Sequence, residues 1–396
     1  MSGPLILAWK YVSFHKLKSF ILIACIILTA ILPVAIKLMV WQFNQKIVAR
    51  AESTPAVIGA KGSDLDLTLS TLYFRSGSVD SLPYAEVARV RDDNLALAIP
   101  IHSMFTALNH PVVGTSLEYF SFRGLAPSSG VLFTTIGDCV LGSKVAESLA
   151  VKPGDQIISD RDNALDLAGQ SPLKLTVSGV LGESRTPDDW AVFVDLKTAW
   201  VIQGLGHGHQ DLTKEEEGSG VLISRDDEKI VANKGVASYI EITPENIESF
   251  HFHGNVDDFP VTSVIVVAKD IKSETILQGR YESGSAEVQF ARPAVVVREL
   301  MSMVFRVNQF FNANASLIAI STALLLVLVV LLSLRLRKRE METMFKLGCS
   351  RSTIAMLQIG EMGIIFGVAL IFLMFAVWGV WLVSGDVVES LLVSRR

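Results

Sequence analysis

The chain is short of charge and of cysteine. Only 19% of its 396 residues are Asp, Glu, Lys or Arg, against about 25% in ordinary soluble domains. Half of the residues are hydrophobic, and the mean hydropathy is +0.43. This balance excludes intrinsic disorder and argues against a soluble enzyme, because the excess apolar surface has to be covered by lipid. Three cysteines cannot build a disulfide framework. Catalytic signatures are as scarce: there is no G-x-S-x-G, no H-E-x-x-H and no zinc-type cysteine pair. Residues 137–144 imitate a phosphate-binding loop but carry Ser143 where lysine is required. No enzymatic activity is expected of this chain.

What is present is apolar length. Residues 20–41, 315–334 and 362–383 are each long enough to span roughly 30 Å of hydrocarbon. Lys37 in the first run sits near its end, where a lysine snorkels to the headgroups. The run is too long for a signal peptide, is interrupted by Pro33, and lacks a following small-x-small site. Lys10, Lys16 and Lys18 precede the first span, and Arg335, Arg337, Lys338 and Arg339 follow the second. Positive residues mark the cytoplasmic side. The expected order is a cytoplasmic interfacial amphipathic helix (1–19), a first span (20–41), an extracytoplasmic domain (42–312), a second span (313–334), a cytoplasmic loop (335–361), a third span (362–383) and an extracytoplasmic tail (384–396). In the first segment Leu5, Trp9 and Val12 share one helical face, which suits the membrane interface.

The middle region mixes β-rich runs, namely 177–181, 191–196, 237–242, 261–268 and 294–297, with turn chemistry at 152–155 and 185–188. Helical pieces are expected at 143–150 and 295–310. This reads as an α+β domain with one subdomain inserted in another, and 206–230 reads as a polar surface loop. Two His-x-His pairs stand out, His207 with His209 and His251 with His253, the latter followed by Asp257 and Asp258. In extended backbone i and i+2 project to one face, so each pair could chelate a borderline ion such as zinc. Solvated histidines at a loop and a strand end are the plainer alternative.

Within 335–361 a charged helix is expected from Arg335 to Lys346, stopped by Gly348, after which Ser350 or Ser352 caps the next helix. Met341, Met344 and Phe345 share a face at i, i+3, i+4. An apolar stripe facing cytosol calls for a partner's groove or for the inner lipid surface. Arg339-Glu340, then Lys346-Leu347-Gly348-Cys349-Ser350-Arg351, then Glu361 at the membrane entry resemble the pattern of FtsX/MacB-type ABC transporter permeases (type VII, mechanotransmission). The resemblance is sharp over 335–361 and looser over 1–45 and 120–200. It implies an integral, α-helical subunit of the bacterial inner membrane with a MacB-like periplasmic core. It also implies a homodimer or heterodimer of permeases and two copies of a separate ABC ATPase that holds the ATP and magnesium.

ATP-driven closure of that ATPase would move the 335–361 loops and so the external domains, which act on a lipid, lipoprotein, peptide or metal. Nucleic acid is not an expected partner; membrane lipid and a periplasmic protein are. The family has four spans and three are visible here, so Gly363 and Gly367 are the expected close-approach contact between permeases. The competing reading is a membrane-anchored extracytoplasmic sensor or adaptor recruiting an envelope partner, with metal binding as an additional property. A sensor would call for a longer cytoplasmic output domain than 335–361.

Overall fold

The computed structural model describes residues 2–75, 79–160, 172–208, 222–226, 229–232, 240–284, 287–336 and 338–393. They divide into two compact units, one of residues 1–45 with 300–388 and one of residues 46–299 with 389–396.

The first unit is helical. Ser2–Phe14 is a helix distinct from the long helix Lys16–Glu52, with a break at His15. Pro293–Leu336 is a second long helix, Lys338–Lys346 a short charged one, and Arg351–Val393 a third long one. Among the described residues two helices are long and apolar enough to cross a membrane, Lys16–Glu52 and Arg351–Gly385. Residues 315–334 lie inside the continuous helix Pro293–Leu336. Leu28, Leu32, Leu324, Phe375 and Trp378 are all exposed, an outward apolar surface that water does not tolerate at this density. In the N-terminal helix it is Ala8 that is fully buried, under Gly360, while Leu5 and Trp9 face outward. A Cβ at Gly360 would approach Ala8 to 3.3 Å, so glycine there lets the two helices close.

The second unit is α+β. Its main sheet runs Val288–Ala291, Ala56–Ala60, Ser263–Ala268, Ala96–Ala107, His110–Thr115, Val192–Asp195, Asp138–Leu141, Lys174–Leu181 and Pro127–Gly130, with Gln156–Ile158 also pairing on Lys174–Leu181. The expected insertion is visible in this order: one half holds the ends of the domain's sequence and the other its middle. The two halves share one sheet, joined through the hairpin Ala96–Ala107/His110–Thr115. Pairing is antiparallel except at His110–Thr115/Val192–Asp195 and Asp138–Leu141/Lys174–Leu181.

Local chemistry places the helices. Ser63 caps Asp64–Tyr73 and Asp195 caps Leu196–Ile202, each side chain accepting from a first-turn N–H. The strand Lys174–Leu181 alternates buried and half-buried residues along its length, as one face on a core requires. Three expectations change. Residues 294–297 (AVVV), a β-rich run overlapping the helix expected at 295–310, make no strand and form the first turn of Pro293–Leu336, because Pro293 at the first helical position presets the helix. Of the run expected at 237–242, residues 237–239 lie outside the described residues, and 240–242 make no strand and only one bridge, Glu241 to Lys174. The 206–230 segment contains paired backbone: Gly206–Gly208 pairs with Phe250–Phe252, and Leu222–Asp226 with Lys229–Ala232.

The last turns of the helix Lys16–Glu52 belong to the second unit and are fastened by Arg50. Its guanidinium donates to both carboxylate oxygens of Asp188, at 2.6 and 2.9 Å, and to the Tyr119 hydroxyl at 2.9 Å. Tyr119 in turn donates to Asp188 Oδ1 at 2.5 Å. All three residues are buried. Burial alone would raise the Asp188 carboxyl, but the Arg50 guanidinium and the hydrogen bonds hold it below the usual value of 3.8. Burial pushes the Tyr119 phenol up to about 12. Arg123 supports the same helix end, donating to Ser53 Oγ and Thr54 Oγ1.

Elsewhere in the core, burial pushes His102 down to about 4 from 6.5, against one hydrogen bond to Gln203. Asp188→Asn leaves a buried guanidinium uncompensated and should destabilise the full chain by about 3–5 kcal/mol. An Arg50→Met/Asp188→Leu double variant should recover most of that in thermal unfolding; equal loss in both would show that the pair itself is not the cause. The pH windows separate. His102 is neutral when folded, so its contribution is full above pH 6.5 and disappears as pH falls toward about 4. A shift of that size corresponds to about 3 kcal/mol. Asp188 contributes above 3.8 and fails only as pH drops through its lower folded value. His102→Gln should flatten the decline between pH 6.5 and 4 and leave the steeper acid loss in place.

Candidate functional site

Residues 338–353 form a helical hairpin whose bend is set by hydrogen bonding. Gly348 has φ 98°, the left-handed conformation that glycine adopts without strain. Cys349 N–H donates to Met344 O and Gly348 N–H to Phe345 O, both at 3.0 Å. This is the six-to-one and five-to-two pairing that closes a helix C-terminus. Ser350 then opens the third long helix: its Oγ accepts from Thr353 N–H at 3.2 Å. Of the two serines proposed from sequence, Ser350 is the cap.

The apolar stripe divides in two. Met341 is half-buried, its Sδ accepting from Gln358 Nε2 across the hairpin at 3.7 Å. Met344 is half-buried, Phe345 is half exposed, and Leu347 is 80% exposed. The outward apolar surface is therefore Met344, Phe345 and Leu347. Arg351 lies over the Phe345 ring at 5.5 Å, a cation–π contact that steadies the ring without covering it. Arg339, Lys346 and Ser350 are exposed around it, and Glu340 lies in the same short helix.

Glu361 is buried and pairs with Lys18 Nζ at 3.2 Å. Sequence reasoning gave Glu361 a place at the membrane entry but no partner, since Lys18 is 343 residues away. Lys18 also lies 5.8 Å from the Tyr11 ring centre. At Gly363 and Gly367 an added Cβ would meet nothing within 4 Å, so both leave an open, shallow helix surface. Leu22, Ile26, Ala323, Val327, Met362 and Phe366 are among the residues lining an apolar cleft of about 430 Å³ between the long helices.

In the second unit the histidines meet, in part. Gly206–Gly208 pairs antiparallel with Phe250–Phe252, which sets His207 directly opposite His251. The ladder extends by one bond, His253 N–H to Leu205 O at 3.1 Å. Ring centres lie 5.2 Å apart for His207–His251 and 4.8 Å for both His207–His253 and His251–His253. His209 falls outside the described residues. Asp257 and Asp258 sit on the exposed 3-10 turn Val256–Asp258 and are not part of the histidine group.

The pairing depends on the glycines. A Cβ at Gly206 would meet the Phe252 ring at 2.7 Å, and one at Gly208 the Phe250 ring at 2.6 Å. Phe252 is held from below by Trp200 and Phe259, at 6.4 and 5.9 Å between ring centres. Phenylalanines thus cover glycines on the inner face, and the histidines gather on the outer one.

The imitation phosphate loop does form a strand, Asp138–Leu141, and a helix, Ser143–Leu149. A Cβ at Gly142 would lie 2.3 Å from Asp188 O, so the chain itself occupies the turn. The buried Arg50–Asp188–Tyr119 group was not foreseen either. Its signal was faint: an arginine closing an apolar helix, and an Asp-Asp pair in a Thr-Pro turn.

No curated protein matches this chain. Among solved structures, similarity extends to the periplasmic region of MacB from Actinobacillus actinomycetemcomitans, at 12% identity and TM-score 0.37, covering 65% of this chain and 98% of that one. It extends also to the extracellular domain of the noncanonic ABC-type transporter YknZ from Gram-positive bacteria, at 13% identity and TM-score 0.32, covering 59% and 97%. A domain of a putative permease protein from Porphyromonas gingivalis aligns at 8% identity and TM-score 0.28, covering 60% and 86%. The MacB-like periplasmic core domain family matches residues 19–232, more than half of the chain. The strand, helix and Gly-Asp turn of 138–158 lie inside that match, and the 338–353 hairpin with its Leu-Gly-Cys-Ser-Arg bend lies beyond it. By that match the chain belongs to the MacB-like periplasmic core domain family and is an ABC transporter permease of the FtsX/MacB type.

Proposed function

We infer that the chain is a permease subunit that carries the motion of a separate ABC ATPase through the bacterial inner membrane to its external α+β unit. The observation behind this reading is the hairpin of residues 338–353. Its bend is held by two backbone hydrogen bonds at the end of the first helix and by the Ser350 side-chain cap at the start of the next, and it presents Met344, Phe345 and Leu347 inside a basic rim. An amphipathic hairpin of this kind fits a hydrophobic groove on a partner protein. Two copies of the ATPase, holding ATP and magnesium, would each grip one hairpin. Their closure would tilt the helix Arg351–Val393, and no substrate would pass between the spans.

In this reading residues 315–334 supply a third span within Pro293–Leu336, with Lys10, Lys16, Lys18 and the basic residues 335–339 on the cytoplasmic side. The N-terminal helix Ser2–Phe14 rests at the inner interface, where its outward Leu5 and Trp9 reach lipid. Gly363 and Gly367, open on their outer surface, are where a second permease approaches closely, in a homodimer or a heterodimer. The external unit acts on the substrate or on an envelope partner.

Met344→Asp or Leu347→Asp should weaken co-purification of the ATPase about tenfold or more, because a carboxylate would be taken into an apolar groove. Retention of the ATPase by both variants at the wild-type level would remove the hairpin from the docking site. Glu361→Gln leaves the half-exposed Lys18 ammonium without its carboxylate and should cost about 1–2 kcal/mol of thermal stability in detergent, less than a fully buried pair. A Lys18→Glu/Glu361→Lys exchange should recover at least half of it; no recovery would mean that the loss is not electrostatic.

A further inference from the structure

The geometry points to a divalent transition-metal site of the zinc class made by His207, His251 and His253, with its outer coordination position open to solvent. The three imidazoles each offer one nitrogen, and these atoms lie within 4.8 Å of one another. Tetrahedral coordination at roughly 2.0–2.1 Å sets ligand nitrogens about 3.3 Å apart. The widest pair therefore has to close by at most about 1.5 Å. His251 and His253 are exposed and His207 half-buried, so rotation of the rings supplies that closure while the backbone stays in place.

Two features distinguish this cluster from histidines that merely share a surface. The first is its scaffold. His207 and His251 are a register pair of a two-stranded ladder, and the Leu205–His253 backbone bond holds the third ligand in line. Glycine on both sides of His207 and phenylalanine on both sides of His251 lock that ladder to the core through Trp200 and Phe259. The second is tautomer control. His251 Nδ1 lies 3.1 Å from Ser249 O. A carbonyl oxygen only accepts, so Nδ1 carries the proton, and in the neutral tautomer this leaves Nε2 with the lone pair that a metal takes. A backbone carbonyl on the distal nitrogen is the usual support of a metal-binding imidazole.

The donor set fixes the class of ion. Three neutral imidazoles suit zinc, copper, nickel or cobalt, and offer nothing to calcium or magnesium, which require oxygen. Three protein ligands with an outward fourth position also describe a site that exchanges its ion or shares it with an incoming ligand, unlike a closed four-ligand structural site. Asp257 and Asp258 are left out of the ligand set by their position on the neighbouring turn. The site does not depend on the coupling role proposed for the hairpin.

The test is titration of the full-length protein in detergent, purified through a tag free of histidine. Zinc binding is followed by calorimetry and cobalt(II) binding by its visible absorption. One equivalent per chain with micromolar or tighter affinity is expected, together with the intense absorption of four-coordinate cobalt. His207→Gln, His251→Gln and His253→Gln should each weaken binding by at least about tenfold, since even losing a supporting partner of a ligand costs that much. Unchanged circular dichroism in each variant shows that the fold is retained. Absence of saturable binding, wild-type affinity in the three variants, or an equal loss in Asp257→Asn/Asp258→Asn would overturn the assignment.

Discussion

The ion pair between Arg50 and Asp188 is the constraint around which the second unit is built at its helix end. Arg50 lies in the last turn of Lys16–Glu52 and Asp188 on the 3-10 turn Pro187–Trp190. A buried pair of this kind contributes little net stability against a well-packed apolar replacement, because desolvation offsets most of the attraction. Its effect is geometric. A bidentate guanidinium–carboxylate contact is satisfied at one rotation of the helix about its axis, and Tyr119 narrows that rotation by bonding to both members. Thr186 adds a hydrogen bond to Asp188 and caps the same turn. Gly142 admits the turn by having no Cβ where Asp188 O sits. Helix end, turn and neighbouring strand are thereby fixed together.

This matters because residues 46–299 are joined to the first unit inside helices. The boundaries at residues 45/46 and 299/300 fall within Lys16–Glu52 and Pro293–Leu336. For the coupling proposed above, the residues that seat the helix ends count as much as the hairpin that would receive the force. Arg123, bonded to Ser53 and Thr54 beyond the helix terminus, extends the seat past the last turn. At the other end of the same helix the Lys18–Glu361 pair ties it to Arg351–Val393.

How far the sequence disclosed this depends on the range of the interaction. Gly348 as a left-handed helix stop and Ser350 as a cap were readable because the partners lie within five residues. The strands around 177–181, 192–195 and 263–268 were readable from their β-branched runs. Residues 294–297 carried two signals: their β-branched run favours strand locally, and the helix expected at 295–310 is the one that forms, beginning at Pro293. The pairs Arg50–Asp188 and Lys18–Glu361 span 138 and 343 residues, and nothing in either neighbourhood names the other. The stripe Met341, Met344, Phe345 was correct as a helical face. Only the hairpin shows that Gln358 covers Met341 and that Leu347 replaces it on the outside.

The histidines show a middle case. Each His-x-His pair announced a common face for its own two rings, but not that the two segments would pair with each other. The information for that pairing lies in the residues between and beside the histidines. Gly-His-Gly and Phe-His-Phe are complementary: a ring that projects inward from one strand needs an empty position opposite, and glycine provides it twice. A one-residue slip would set His207 against a phenylalanine, so that either a polar ring would be turned into the core or an aromatic one out of it. The register is therefore enforced by the apolar face. The chemistry gathered on the outer face is a consequence of packing on the inner one, carried by residues that hold no ligand atom themselves.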